Sequence, residues 1–189
     1  MAEETGDGWQ PVAEGSALAE QSEQARLKAG KRAACVAKAD SIVKSNVVQA
    51  MAMGLIPVPL LDVVALTNIQ FKMVDDLVKL YDIRYSKIER AVARSFILGV
   101  LPVAGVAGVS SVFKALPGVG SIVGGAGVSV TAGGLTYATG KVFTRHFAAG
   151  GTLQDFDMKK ARQYFLQEFR RGKQFAKQKI NAPQLPAPS

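Results

Sequence analysis

The chain has one cysteine, one histidine and one tryptophan in 189 residues. The lone Cys35 excludes an intrachain disulfide and fits a reducing compartment. It lies among alanines with no histidine close by, so it reads as a small buried residue rather than a nucleophile. The lone His146 excludes a histidine-rich metal site and leaves no Ser-His-Asp set to assemble; beside Arg145 it reads as an interfacial residue. Phosphate-binding loops are missing as well. Gly134 to Lys141 is superficially similar to one, but Thr139 and Val142 stand where its glycine and its magnesium-binding hydroxyl belong. Gly118-Val119-Gly120 reaches Val123 where a dinucleotide fingerprint needs a third glycine. These absences predict a protein that is not an enzyme and has no cofactor and no metal. An early apolar run with a basic lead is also lacking at the N-terminus, so no secretory signal is expected.

Charge is the other scarce commodity, and its absence is local. From Ser95 to Phe113 no side chain is ionisable; Lys114 interrupts, and Ala115 to Gly140 is again uncharged. A helix crossing a bilayer of ~30 Å needs about 20 apolar residues. Between the two runs lies Leu116-Pro117-Gly118-Val119-Gly120, a helix stop and tight turn. The pattern predicts an apolar helical hairpin over about 95–143, membrane-inserted, within an all-α helical bundle. Pro102 is expected to kink or split its first arm near Leu101. The second arm contains seven glycines from Gly120 to Gly140. At about 1 kcal/mol each relative to alanine, they exclude a freestanding surface helix. Gly120, Gly124, Gly133, Ala104 and Gly108 fall in small-xxx-small spacings that let helix backbones approach.

What charge there is lies outside the hairpin, and the net charge is +8. Arg84, Lys87, Arg90 and Arg94 precede the hairpin, and Lys141 and Arg145 follow it. Basic flanks on both sides predict a membrane protein with both termini cytoplasmic. Residues 1–24 are acidic and predicted disordered; Trp9 reads there as incidental, or as a short docking anchor. The helical domain is expected over 25–180, with a second disordered tail at 181–189.

Within that domain Ile42-Val43, Val47-Val48 and Met51 recur at helical spacing. Gly54-Leu55-Ile56-Pro57-Val58-Pro59 ends that helix and launches another, Leu60 to about Tyr81. Asp62, Asn68 and Gln70 are polar positions within it. Asp62 suits the first turn of the helix, and the three together are a candidate polar site. Gly150-Gly151 closes the unit. Thr152 to about Lys179 reads as a basic helix, with Lys159, Lys160, Arg162, Arg170, Arg171 and Lys173 facing an anionic lipid surface, or with its aromatics packed on the hairpin. Nothing resembles a nucleic-acid module, so no nucleic-acid partner is expected.

From about Asp40 to Arg171 the chain resembles the YcjF-type family of uncharacterised bacterial helical membrane proteins associated with small GTPases. The resemblance rests on Gly54-Leu55-Ile56-Pro57-Val58-Pro59 with Asp62, Ile69-Gln70, Met73 and Leu77-Val78-Lys79-Leu80-Tyr81. It continues in Leu116-Pro117-Gly118-Val119-Gly120, Thr136-Tyr137-Ala138-Thr139-Gly140 and Gly150. It implies an all-helical membrane-associated domain and a small GTPase partner in trans, with no catalytic residues to carry over. The leading expectation is a non-enzymatic membrane adaptor or scaffold. The alternatives are a channel or pore-forming assembly built from the hairpin, and a soluble helical interaction domain whose hairpin is its own core. Self-association into a homo-oligomer is left open.

Overall fold

A computed structural model describes residues 12–54, 61–84, 86–112 and 120–182, with side chains over 20–54, 64–84, 86–100 and 126–182. Five helices and no strand occur among the described residues: α1 Val12–Met53, α2 Leu61–Leu80, α3 Lys87–Val112, α4 Gly120–Ala148 and α5 Met158–Asn181. The all-helical architecture is therefore seen directly. The chain divides into a unit over residues 1–35 and a compact unit from Val36 onward. The first is helical from Val12, inside the stretch expected as a disordered tail. Its described side chains from Glu20 to Ala34 are exposed.

In the compact unit α4 is the centre. Between Ser129 and Thr144 only Thr131, Tyr137 and Lys141 escape full burial. A helix buried on every side is the axis of a bundle, not one wall of it. The other helices bring one face each. α2 contributes Gln70, Met73, Val74, Leu77 and Val78, at the three-and-four spacing of a single stripe. α5 does the same with Ala161, Phe165, Glu168, Phe169, Gly172 and Ala176. α3 supplies Phe96, whose ring meets Phe143 of α4, Phe156 of the loop and Phe165 of α5 edge-on, with centroids 5.6, 5.3 and 6.1 Å away.

Helix ends are set by local chemistry. Ser86 and Glu89 form a reciprocal capping box at the start of α3: Ser86 N–H donates to the Glu89 carboxylate, and Glu89 N–H to Ser86 Oγ at 3.4 Å. α2 and α4 stop in the same way. Ile83 N–H reaches back to Val78 O and Asp82 N–H to Lys79 O, with Asp82 at φ 52. Gly151 N–H reaches His146 O and Gly150 N–H reaches Phe147 O, with Gly150 at φ 85. Both are Schellman stops, in which one left-handed residue satisfies two terminal carbonyls. α5 begins at Met158, not Thr152, because Asp157 takes the cap and accepts from Lys159 N–H at 2.9 Å and Lys160 N–H at 3.0 Å.

α3 continues through Pro102 instead of dividing near Leu101. The missing proline N–H frees the carbonyl of Leu98, a residue 53 % exposed, so the lost bond falls on an open side of the helix. Among the described residues no helix is long and apolar enough to cross a membrane.

Candidate functional site

Gly133, Gly134 and Gly140 of α4 are contact points for helices from outside the hairpin. A Cβ at Gly133 would stand 2.7 Å from Met51 Cγ of α1 and 3.2 Å from Ala176 Cβ of α5. One at Gly134 would meet Lys173 Cγ at 2.8 Å and the Phe169 ring at 3.1 Å; one at Gly140 would meet Val43 at 2.5 Å. From the other side, a Cβ at Gly172 would meet Gly134 O at 2.8 Å. Backbone thus lies against backbone where α5 crosses α4. Gly133 stands in one of the small-xxx-small spacings, and its close neighbours are Met51 of α1 and Ala176 of α5. The surroundings of Gly120, Gly124, Ala104 and Gly108 lie outside the described residues. Gly140 and Gly172 have equally close neighbours, and the Gly172-xxx-Ala176 spacing is the signal in the sequence that points to Gly172.

The three candidate polar residues of α2 do not form one site. Asn68 is exposed and Gln70 is fully buried, because residues two apart on a helix face nearly opposite ways. Asp62 lies in the first turn, and its side chain is outside the described residues. Gln70 instead meets α4, where Thr139 Oγ1 donates to its Oε1 at 3.3 Å. Its Nε2, with Asn46 Oδ1, Thr136 Oγ1 and Thr144 Oγ1, is buried without a hydrogen-bond partner among the described residues.

Beside this layer Asp40 of α1 binds Lys141 of α4 at 2.6 Å and Lys44 at 2.6 Å. Burial pushes the Asp40 carboxyl up, but the two ammonium groups outweigh it and hold it below the usual carboxylate range. Burial likewise pulls Lys141 down, and the bond to Asp40 together with the charges of Tyr137, Asp40 and Glu168 more than reverses it, leaving Lys141 above the usual lysine range. The pair ties α1 to the central helix.

His146 is half-buried against its own loop. Its ring lies over Gly151, where a Cβ would come within 2.5 Å of it, and Nε2 is 2.6 Å from Thr152 O and 3.6 Å from Asp155. It holds the loop between α4 and α5. Below that loop a cavity of about 550 Å³ is lined by Arg145, His146, Asp155, Asp157, Lys160 and Tyr164 among others. The Arg145 guanidinium stacks 4.4 Å over the Tyr164 ring. Burial raises the Tyr164 hydroxyl above its usual range, with the Glu168 carboxylate acting in the same direction. Two cations and two carboxylates face this cavity, so it does not select an ion of either sign. Among the described residues no cluster of His, Cys, Asp and Glu is arranged to hold a metal ion.

The six basic residues expected at a lipid surface divide between two sides of α5. Lys160 pairs with Asp157 at 3.5 Å, and Arg171 with the buried Glu168 at 2.7 Å. Lys159, Arg162 and Arg170 are exposed, and Lys173 leans its ammonium over Phe169 at 5.0 Å. The aromatic face of the helix is inside the protein, with Phe165 at 0 % and Phe169 at 5 % exposure.

The architecture defines an all-helical domain built round a glycine-rich central helix, with no recognisable catalytic set among the described residues. The chain matches the family described as a domain of unknown function, DUF697, over residues 15–171, and it belongs to that family. It is 36% identical over 140 residues to magnetosome membrane protein 22 of Magnetospirillum gryphiswaldense, covering 73% of this chain and 72% of that protein. No solved structure matches.

Proposed function

We propose that the chain is a non-enzymatic, membrane-associated helical scaffold. In this reading the bundle lies at the cytoplasmic face of a bilayer, and the hairpin enters the bilayer from that side and returns, keeping both flanks together. The observation that carries it is the length of uncharged sequence between the two buried ends of the hairpin's arms. Phe96, Ile97 and Val100 at one end and the residues from Ser129 at the other are buried in protein. Between them residues 101–125 have Lys114 as their single ionisable side chain. The likeness to a protein named for the magnetosome membrane supports the same location. A small GTPase in trans is the partner class we carry forward, on the YcjF-type resemblance. The burial of α4 from Ser129 onward also favours part of the alternative reading, in which the hairpin supplies its own domain's core.

The test is extraction of membranes with alkaline carbonate, combined with location reporters before Arg26 and after Ser189. The chain should stay with the membrane, and both reporters should read cytoplasmic. Val106→Arg should release it, since an arginine at the centre of an inserted helix costs about 2.5–3.5 kcal/mol. Complete release of the unmodified chain by carbonate would refute insertion.

A further inference from the structure

We propose that the outward side of α5 is a docking surface for an anionic lipid bilayer, contacted through a straight row of cations. This rests on the membrane association in the reading above and not on insertion of the hairpin: α5 runs antiparallel along α4, with Gly172 against Gly134 and Tyr164 against Arg145, so a bilayer lying on the row is parallel to α4. Lys159, Arg162, Leu166, Arg170, Lys173 and Lys177 follow one another at steps of three or four, so they share one side of the helix. The row runs over 18 residue steps, about 27 Å of helix. Lys159, Arg162, Arg170 and Lys177 are exposed and have no ion-pair partner among the described residues. The only acid on α5 is Glu168, which is buried and bound to Arg171 on another side. Leu166, 45 % exposed, is the one apolar side chain in the row.

The arrangement decides what kind of anion it fits. Cations along one side of a straight helix lie nearly in a plane, which suits a flat charged surface. Base stacking needs exposed rings, and the rings of α5 turn inward: Phe165 and Phe169 are buried, and Tyr164 and Phe175 half-buried. An interfacial helix ordinarily sinks its apolar face into the headgroup boundary. α5 cannot do so without leaving α4, because that face is the seam of the bundle. Contact is therefore made by charge, with Leu166 as a small apolar addition. An isolated α5 peptide, with its aromatics freed, would bind by a different mode, so the whole chain has to be tested.

The experiment is flotation of the full chain with phosphatidylcholine vesicles, with and without phosphatidylglycerol. Lys159→Gln/Arg162→Gln/Arg170→Gln/Lys177→Gln is compared with wild type and with a variant losing the same charge from α1, Lys28→Gln/Lys31→Gln/Arg32→Gln/Lys38→Gln. The gain in binding that phosphatidylglycerol gives wild type should fall about tenfold or more in the α5 variant, on the scale of a few cations near a charged membrane. It should be nearly kept in the α1 variant and should vanish in high salt. Exchanging the four Lys and Arg residues among themselves should preserve it and controls for folding. An α5 variant that keeps the wild-type gain, or an α1 variant that loses as much, overturns the proposal. So does wild type that ignores phosphatidylglycerol and binds single-stranded RNA through these residues. Binding to neutral vesicles reads the hairpin separately: its absence would sink the insertion reading and leave the effect of phosphatidylglycerol as the measure of the row.

Discussion

Replacing Gly140 by alanine should destabilise the protein, even though alanine is the better helix former by about 1 kcal/mol. A Cβ at Gly140 would stand 2.5 Å from Val43 Cγ2, 2.8 Å from Val43 Cγ1 and 3.1 Å from Met73 Sδ. Carbon atoms in contact settle at about 3.5–4.0 Å, so the neighbours must retreat by about 1 Å. Met73 can swing its flexible end away. Val43 cannot: it is branched at Cβ, strongly prefers one rotamer in a helix, and is fully buried. The backbone of α1 has to move. Overpacking of this kind costs about 1–3 kcal/mol, and a stiff neighbour puts Gly140 at the upper end. Subtracting the propensity gain leaves a net loss of about 2 kcal/mol, or about 4–8 °C in melting temperature for a domain of this size. Gly99→Ala is the matched control. Nothing lies within 4 Å of a Cβ there, so the same substitution should stabilise by up to about 1 kcal/mol. Shortening Val43 to alanine in the Gly140→Ala background should recover at least about 1 kcal/mol of coupling in a double-mutant cycle. Thermal and denaturant unfolding followed by circular dichroism reads all five proteins, Val43→Ala alone included. A Gly140→Ala chain as stable as wild type, or a cycle without coupling, would refute the packing argument.

The Asp40–Lys141 pair should show a defined pH window. Asp40 is held below its usual range, so its contribution is complete above the ordinary Asp pKa and fades as pH falls through the lowered value. Lys141 is held above its range, so its share is complete below the ordinary Lys pKa and fades as pH rises through the raised value. Asp40→Asn should therefore lose about 1 kcal/mol at neutral pH and flatten the acid limb of the stability curve; an unchanged acid limb counts against the pair. Gln70→Leu with Thr139→Val removes a buried bond together with an unpartnered amide, and should be neutral or stabilising by about 1 kcal/mol, whereas Gln70→Leu alone should be worse than the double. Asp157→Ala should lower the melting temperature while Asp157→Asn, an equally good cap, should not; equal effects of the two would mean that charge, not capping, matters there.

Much of the bundle is visible in the residues themselves. The stripe Met73, Leu77 and the apolar positions beside them marks α2, and Gly54 and Gly150-Gly151 mark helix ends. The stop of α2 is less legible, since Asp82 occupies the left-handed position where glycine is the usual signal. The Ser86-x-x-Glu89 box is a plain start signal for α3. The start of α5 is ambiguous because Thr152 and Asp157 are both capping residues, and only the loop pinned by His146 decides between them. α4 is the hard case. Buried all round, it has no stripe to read, and small-residue spacing says that backbones approach without saying whose. Gly133 and Gly134 find α1, which precedes the hairpin, and α5, which follows it, a relation between distant parts of the chain carried by tertiary packing alone.

Composition cannot separate a lipid-facing helix from one at the centre of a protein, since both are apolar. Contacts can. The space over Gly133, Gly134 and Gly140 is filled by Met51, Ala176, Lys173 and Val43, atoms of helices that also carry Lys44, Arg170 and Lys177 on their exposed sides. Sinking that part of α4 into hydrocarbon would take those cations with it, at about 2.5–3.5 kcal/mol for each lysine or arginine near the bilayer centre. Separating α4 from α1 and α5 instead would expose Phe165, Phe169 and the buried Glu168. Either route is far less favourable than keeping Ser129 to Thr144 in the bundle. On the membrane-associated reading, the edge of the hydrocarbon therefore has to fall on the hairpin side of Ser129, and only the part of the uncharged run that the bundle does not bury is left to enter it.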